Sequence, residues 1–101
     1  MIAEFSIYPM NAEHMSPDVA QVIETLRATG LNYRLGPMGT CLEGDLEDVL
    51  AAIRRCHETV AANHDRVITS IVIDDRKNRP HHLGDMVTSV EQRMGGVLAP
   101  V

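Results

Sequence analysis

The sequence has no tryptophan, one phenylalanine and two tyrosines in 101 residues, and fourteen acidic side chains outnumber nine basic ones. A chain short of stacking platforms and of positive charge lacks the footprint of a nucleic-acid binder, whose affinity comes from phosphate neutralisation and base stacking. The deficit is uneven: residues 1–50 carry two basic and eight acidic groups, residues 51–101 seven and six. No uninterrupted apolar run approaches the roughly 20 residues that cross a bilayer. The opening MIAEFSIYPM has neither a basic stretch nor a small-residue cleavage site. A cytoplasmic protein with no membrane partner is expected. Cys41 and Cys56 are the two cysteines, expected as free, buried thiols in a reducing compartment. Seven glycines and five prolines are too few for a collagen-like or low-complexity chain.

What is present is enough apolar side chain for one core: 45% hydrophobic against 23% charged residues, in a length that corresponds to a single domain over residues 1–101. Residues 2–9 alternate, with Ala3, Phe5 and Ile7 on one face and Ile2, Glu4, Ser6 and Tyr8 on the other, which predicts a strand. Ser16-Pro17 reads as an N-cap followed by proline in the first helical turn. Val19, Val22, Ile23 and Leu26 then recur at helical spacing up to Gly30, predicting a helix over about 17–29. LNYRL (31–35) and Thr40 to Glu43 read as the two arms of a hairpin turned by Gly36-Pro37-Met38-Gly39. Asp45 is the expected N-cap of a second helix carrying Leu46, Val49, Leu50, Ile53 and Val60, broken at Asn63 to Asp65. RVITSIVID (66–74) is the most β-branched stretch and predicts a strand, apolar on both faces and so expected to be covered on both. After a charged loop (74–82), Met86, Val87, Val90 and Met94 predict a third helix that ends at Gly95-Gly96.

The order β-α-β-β-α-β plus a C-terminal helix predicts an α+β, ferredoxin-like sandwich: an antiparallel four-stranded sheet with two helices on one face. The bare face would then present Ile2, Tyr8, Ile68 and Val72 among small polar groups, an apolar patch that marks an interaction surface. Two chemistries were weighed for the remaining groups. Cys41 with His57 as nucleophile and base lacks a nucleophile elbow or other local signature. The histidines His14, His57, His64, His81 and His82 lack the spacing of a metal site, and no glycine-rich phosphate cradle is present. The segment 33–44 is more telling. Its turn residues are followed by Thr40 and Glu43, and a carboxylate beside apolar surface asks for a cationic or amino-bearing partner; capping of the turn by Glu43 is the plainer alternative.

The hairpin Y-R-L-G-P-M-G-T-C-L-E-G, His57-Glu58, Arg66-Val67, Ile73-Asp74-Asp75-Arg76 and Ser89-Val90-Glu91, in this order and spacing, resemble the small thiamine-binding protein family from Ala3-Glu4 to Glu91. The resemblance implies a non-catalytic, ferredoxin-like protein that binds thiamine or its hydroxymethylpyrimidine moiety, with no catalytic residue, metal or cofactor. It also implies a homotetramer in which open sheet faces pair. Carried over residue by residue, Thr40 and Glu43 are the ligand candidates, with Ser6 on the neighbouring strand and Met38 and Tyr33 as walls for an aminopyrimidine ring. The chain departs from the family at Met86, where a lysine is expected, and at Asn63-His64-Asp65, which lacks a glycine. An acidic site also disfavours phosphorylated guests. The rival expectation is a structural or regulatory assembly module whose open face is protein interface alone.

Overall fold

The structure, a computed structural model, describes residues 1–77 and 83–95. The expected His81-His82 pair and Gly96 lie outside the described residues, as does the side chain of Met86. The elements run β1 (Ile2–Pro9), α1 (Ser16–Thr29), β2 (Tyr33–Leu35), β3 (Thr40–Glu43), α2 (Leu46–Ala61), β4 (Val67–Asp74) and α3 (Asp85–Met94). The sheet order is β2-β3-β1-β4, with every neighbouring pair antiparallel. This is the expected α+β sandwich.

Period-two alternation sorts the sheet into two faces. Register pairs Ala3 with Leu42 and Phe5 with Thr40, and these four side chains are at most 5% exposed. The helices supply the rest of the core on this side: Val22 and Leu26 from α1, and Val49, Ala52, Ile53, Cys56 and Val60 from α2. The other face carries Glu4 opposite Val72, Ser6 opposite Ser70 and Tyr8 opposite Ile68. Tyr8, Ile68 and Val72 there are 38%, 42% and 67% exposed, so the expected apolar open face exists.

Three local expectations are corrected. Met15, not Ser16, is the N-cap of α1, and Ser16 already lies inside the helix. Asp45 does cap α2, but its side chain makes no capping hydrogen bond. β4 is an edge strand, and the expected cover on both faces fails: Ile68 and Val72 are exposed on the open face, and on the other face the helix layer reaches only the first half. Its first half meets the helix layer through Val67 and through Thr69, which His57 of α2 bonds, whereas Ile71 and Ile73 stay about 40% exposed on the same side. The chain turns into α3 at Leu83-Gly84, beside β2 and β3. The Leu83 amide donates to the Glu43 carboxylate at 2.9 Å, and a Cβ on Gly84 would lie 3.1 Å from the Arg34 guanidinium.

Candidate functional site

The strands are unequal, and the inequality makes a cavity. β4 pairs with β1 along all eight residues, from Ile2↔Asp74 to Pro9↔Val67, but β3 pairs only from Ile2↔Glu43 to Phe5↔Thr40. β3 can reach no further because Gly36 to Gly39 close a turn, with the Gly36 amide donating to the Gly39 carbonyl at 2.8 Å. Beyond Phe5, the flank of β1 that faced β3 has no strand neighbour among the described residues. The Phe5 carbonyl oxygen points to that flank, since a Cβ on Gly39 would sit 3.0 Å from it. Alternation of the antiparallel ladder therefore aims the Ile7 amide and carbonyl the same way.

A cavity of about 110 Å³ occupies the gap. Phe5, Val22, Thr40 and Val60, all at most 7% exposed, form its floor. Leu35, Pro37, Met38 and Gly39 wall it from the hairpin, and Met15, Asp18 and Val19 from the first turns of α1. Tyr8 closes the side toward the open face, its hydroxyl donating to the Met38 carbonyl at 3.4 Å. Met38 is 77% exposed and Leu35 58%, which places the mouth on the hairpin side.

Of the five residues expected from the sequence, the cavity gathers Ser6, Met38 and Thr40. Tyr33 and Glu43 are elsewhere. Tyr33 shares the helix face of the sheet through its pairing with Leu42 and packs against the main core. Glu43 is on the opposite face from Thr40, because residues three apart in a strand point to opposite sides. Its carboxylate accepts from Asn32 Nδ2 at 2.6 Å and from the Leu83 amide at 2.9 Å. These donors lie beside the end of β3 and at the entry to α3, outside the Gly36–Gly39 turn.

One residue not singled out from the sequence stands at the cavity instead, backed by a histidine that the sequence offers only as a metal ligand. Asp18 lines it, and its side chain is only 10% exposed; His64, from the turn after α2, donates from Nε2 to Asp18 Oδ1 over 2.9 Å with 21% exposure. A signal was available. Asp18, Val22 and Leu26 fall at i, i+4 and i+8 and are the three buried residues of α1, so Asp18 lies on the inward stripe.

The thiols are placed apart from this site. Cys41 is on the open face, donating to the Glu4 carboxylate at 3.7 Å. Burial and then the charge of Glu4 push its thiol up from 9.0. His57 lies across the sheet, its Nδ1 2.6 Å from Thr69 Oγ1 on the helix face. The two faces of the sheet separate Cys41 from His57. Cys56 is fully buried, and burial pushes it up to about 11. Among the described residues no three His, Cys, Asp or Glu side chains cluster to hold a metal, and no helix is long and apolar enough to cross a membrane.

The family model described as "Thiamine-binding protein" matches residues 3–91. The chain belongs to the thiamine-binding protein family. A UPF0045 protein of Methanothermobacter thermautotrophicus is 35% identical over 96 residues, spanning 91% of this chain and 97% of that protein. Among solved structures, a hypothetical protein from Methanocaldococcus jannaschii superposes with a TM-score of 0.83 at 34% identity, covering 90% of this chain and 95% of the other. A Thermotoga maritima protein assigned provisionally to thiamine biosynthesis or salvage superposes at 0.77 with 17% identity, covering 88% and 96%. That last likeness extends to the fold alone.

Proposed function

We propose that this member of the family binds thiamine or its hydroxymethylpyrimidine moiety without transforming it, in the cavity beside the unpaired flank of β1. The observation that carries the reading is the composition of that cavity. Its floor is apolar apart from the Thr40 hydroxyl, and among the described residues its lining includes one acidic residue, Asp18. A few convergent polar groups in an apolar recess are the pattern of small-molecule sites. A dry apolar cavity of about 150 Å³ admits one benzene ring, so at 110 Å³ the recess takes part of a single ring, the rest of which lies at the mouth with its substituents. The pyrimidine enters and the thiazolium stays near Met38. A carboxylate and no cationic side chain in the lining disfavour a phosphate inside it.

Calorimetric titration and thermal shift with thiamine and with hydroxymethylpyrimidine test this. Saturable binding of either is expected; no heat and no shift at millimolar concentration rejects it. The exposed Tyr8, Ile68 and Val72 support a companion proposal, a cytoplasmic homotetramer in which open sheet faces pair. Light scattering that returns a monomer rejects that assembly. The same face favours the second reading, a structural or regulatory assembly module, which predicts an oligomer that binds neither compound.

A further inference from the structure

We propose that Asp18 selects the guest: its carboxylate takes an N–H donor on the edge of the bound ring, so the site discriminates an aminopyrimidine from an oxopyrimidine. The inference rests on the binding reading above and adds the group that decides specificity.

Three observations carry it. Among the described residues Asp18 is the one acidic residue lining a mostly apolar recess, and its side chain is nine-tenths buried. A buried carboxylate must be satisfied by donors, because the desolvation of an ion is otherwise uncompensated. Among the described residues its hydrogen-bond partner is His64, which occupies Oδ1. An ionised carboxylate has room for about four hydrogen bonds on two oxygens, and Oδ2, which is not a buried unpaired atom, keeps acceptor capacity for an incoming donor.

The fold fixes where the acid stands. Asp18 sits in the first turn of α1. His64 presents Nε2 from the turn that follows Val60, itself part of the cavity floor. The imidazole therefore fixes the carboxylate without entering the recess. The resulting selection follows from donor and acceptor types. Thr40, on the floor, carries a hydroxyl that can rotate to give or accept, and it tolerates either kind of ring edge. A carboxylate only accepts. An exocyclic amine meets it as a donor, whereas a ring carbonyl in the same place sets oxygen against oxygen and leaves both groups unpaired, the arrangement that yields strong discrimination.

The test is calorimetric titration of the full chain with hydroxymethylpyrimidine and with the analogue in which a carbonyl replaces the exocyclic amine. The wild-type protein is expected to prefer the amine at least tenfold. Asp18→Asn, whose amide can both donate and accept, is expected to bring the two affinities within about threefold while the oxo compound still binds. Equal wild-type affinities overturn the inference, and so does an unchanged preference in Asp18→Asn. Should that variant not fold, Asp18→Glu keeps the charge and displaces it by one methylene; the preference should drop at least threefold, and a full preference there also overturns the inference. Binding of neither compound by the wild-type protein is a different result, the failure of the functional reading itself.

Discussion

Replacing Gly39 by alanine puts a methyl carbon 3.0 Å from the Phe5 carbonyl oxygen and 3.3 Å from Glu4 Cγ. The Glu4 side chain is exposed and can swing away. The carbonyl cannot, because Phe5 is the last residue of β1 that β3 holds, through Thr40. Relief requires the hairpin turn to lift from β1, so the substitution behaves as overpacking, which costs about 1–3 kcal/mol. With an unfolding entropy of roughly 2 cal/mol/K per residue, a domain of this length loses roughly 5–15 °C in Tm. Gly30 provides the contrast. Nothing lies within 4 Å of a Cβ there, but its φ is +75°, so Gly30→Ala carries a left-handed penalty of roughly 1–2 kcal/mol and no clash. Asparagine, which tolerates that conformation, should recover part of the loss at Gly30 and none at Gly39. Urea unfolding at neutral pH with an unchanged m value reads both. A Gly39→Ala loss below about 0.5 kcal/mol, or rescue by asparagine at Gly39, would refute the tight approach of the turn to β1. It would also refute the cavity wall that this approach builds, so ring affinity should fall with stability in Gly39→Ala.

Two further outcomes follow from groups outside the cavity. Burial raises the Cys56 thiol from 9.0 to about 11, so its protonated form is favoured in the fold. The stability this contributes is fully present below about pH 9 and is lost as pH rises from 9 toward 11, an order of 2–3 kcal/mol for two units. The wild-type stability minus that of Cys56→Ala should be flat below pH 8 and fall across that window; a difference that stays flat to pH 11 contradicts it. Glu43→Gln, in turn, leaves one of the two donors at Asn32 and Leu83 less well satisfied. A stability loss of about 1 kcal/mol is expected with ring affinity unchanged, and a tenfold weaker ligand would return Glu43 to the site.

The sequence made the elements legible and left the site half hidden, for reasons visible in particular residues. β1 falls on its expected 2–9 because alternation there is uninterrupted, and β4 differs from expectation only by Arg66. The hairpin's first arm begins at Tyr33, not Leu31. Asn32 instead serves the neighbouring strand, its carbonyl accepting from the Glu43 amide and its side chain binding the Glu43 carboxylate. That Thr40 and Glu43 face opposite sides of the sheet was legible, since they are an odd number of residues apart. Asp18 was legible too, from its place on the stripe with Val22 and Leu26. The cavity was not. It depends on a four-residue strand lying beside an eight-residue one, and on which end of the longer strand is left unpaired, a property of register that local pattern does not contain.

The order of groups at the cavity bears on what the site can do chemically. A carboxylate hydrogen-bonded to an imidazole is also found in hydrolytic triads. There the imidazole faces the reacting atoms to move a proton, and the carboxylate stands behind to orient it. Here the order is reversed: Asp18 lines the recess and His64 holds it from behind through Oδ1. An acceptor in front and an imidazole at the back can hold an amine, but they do not bring a base to the Ser6 or Thr40 hydroxyl. The thiol that could act as a nucleophile is no better placed. Cys41 lies on the open face beside Glu4, with its thiol raised by burial and by that charge, whereas nucleophilic cysteines need the thiolate favoured. Each arrangement is opposite to what covalent catalysis requires, and the first of them is what a selective binding site for an amine requires.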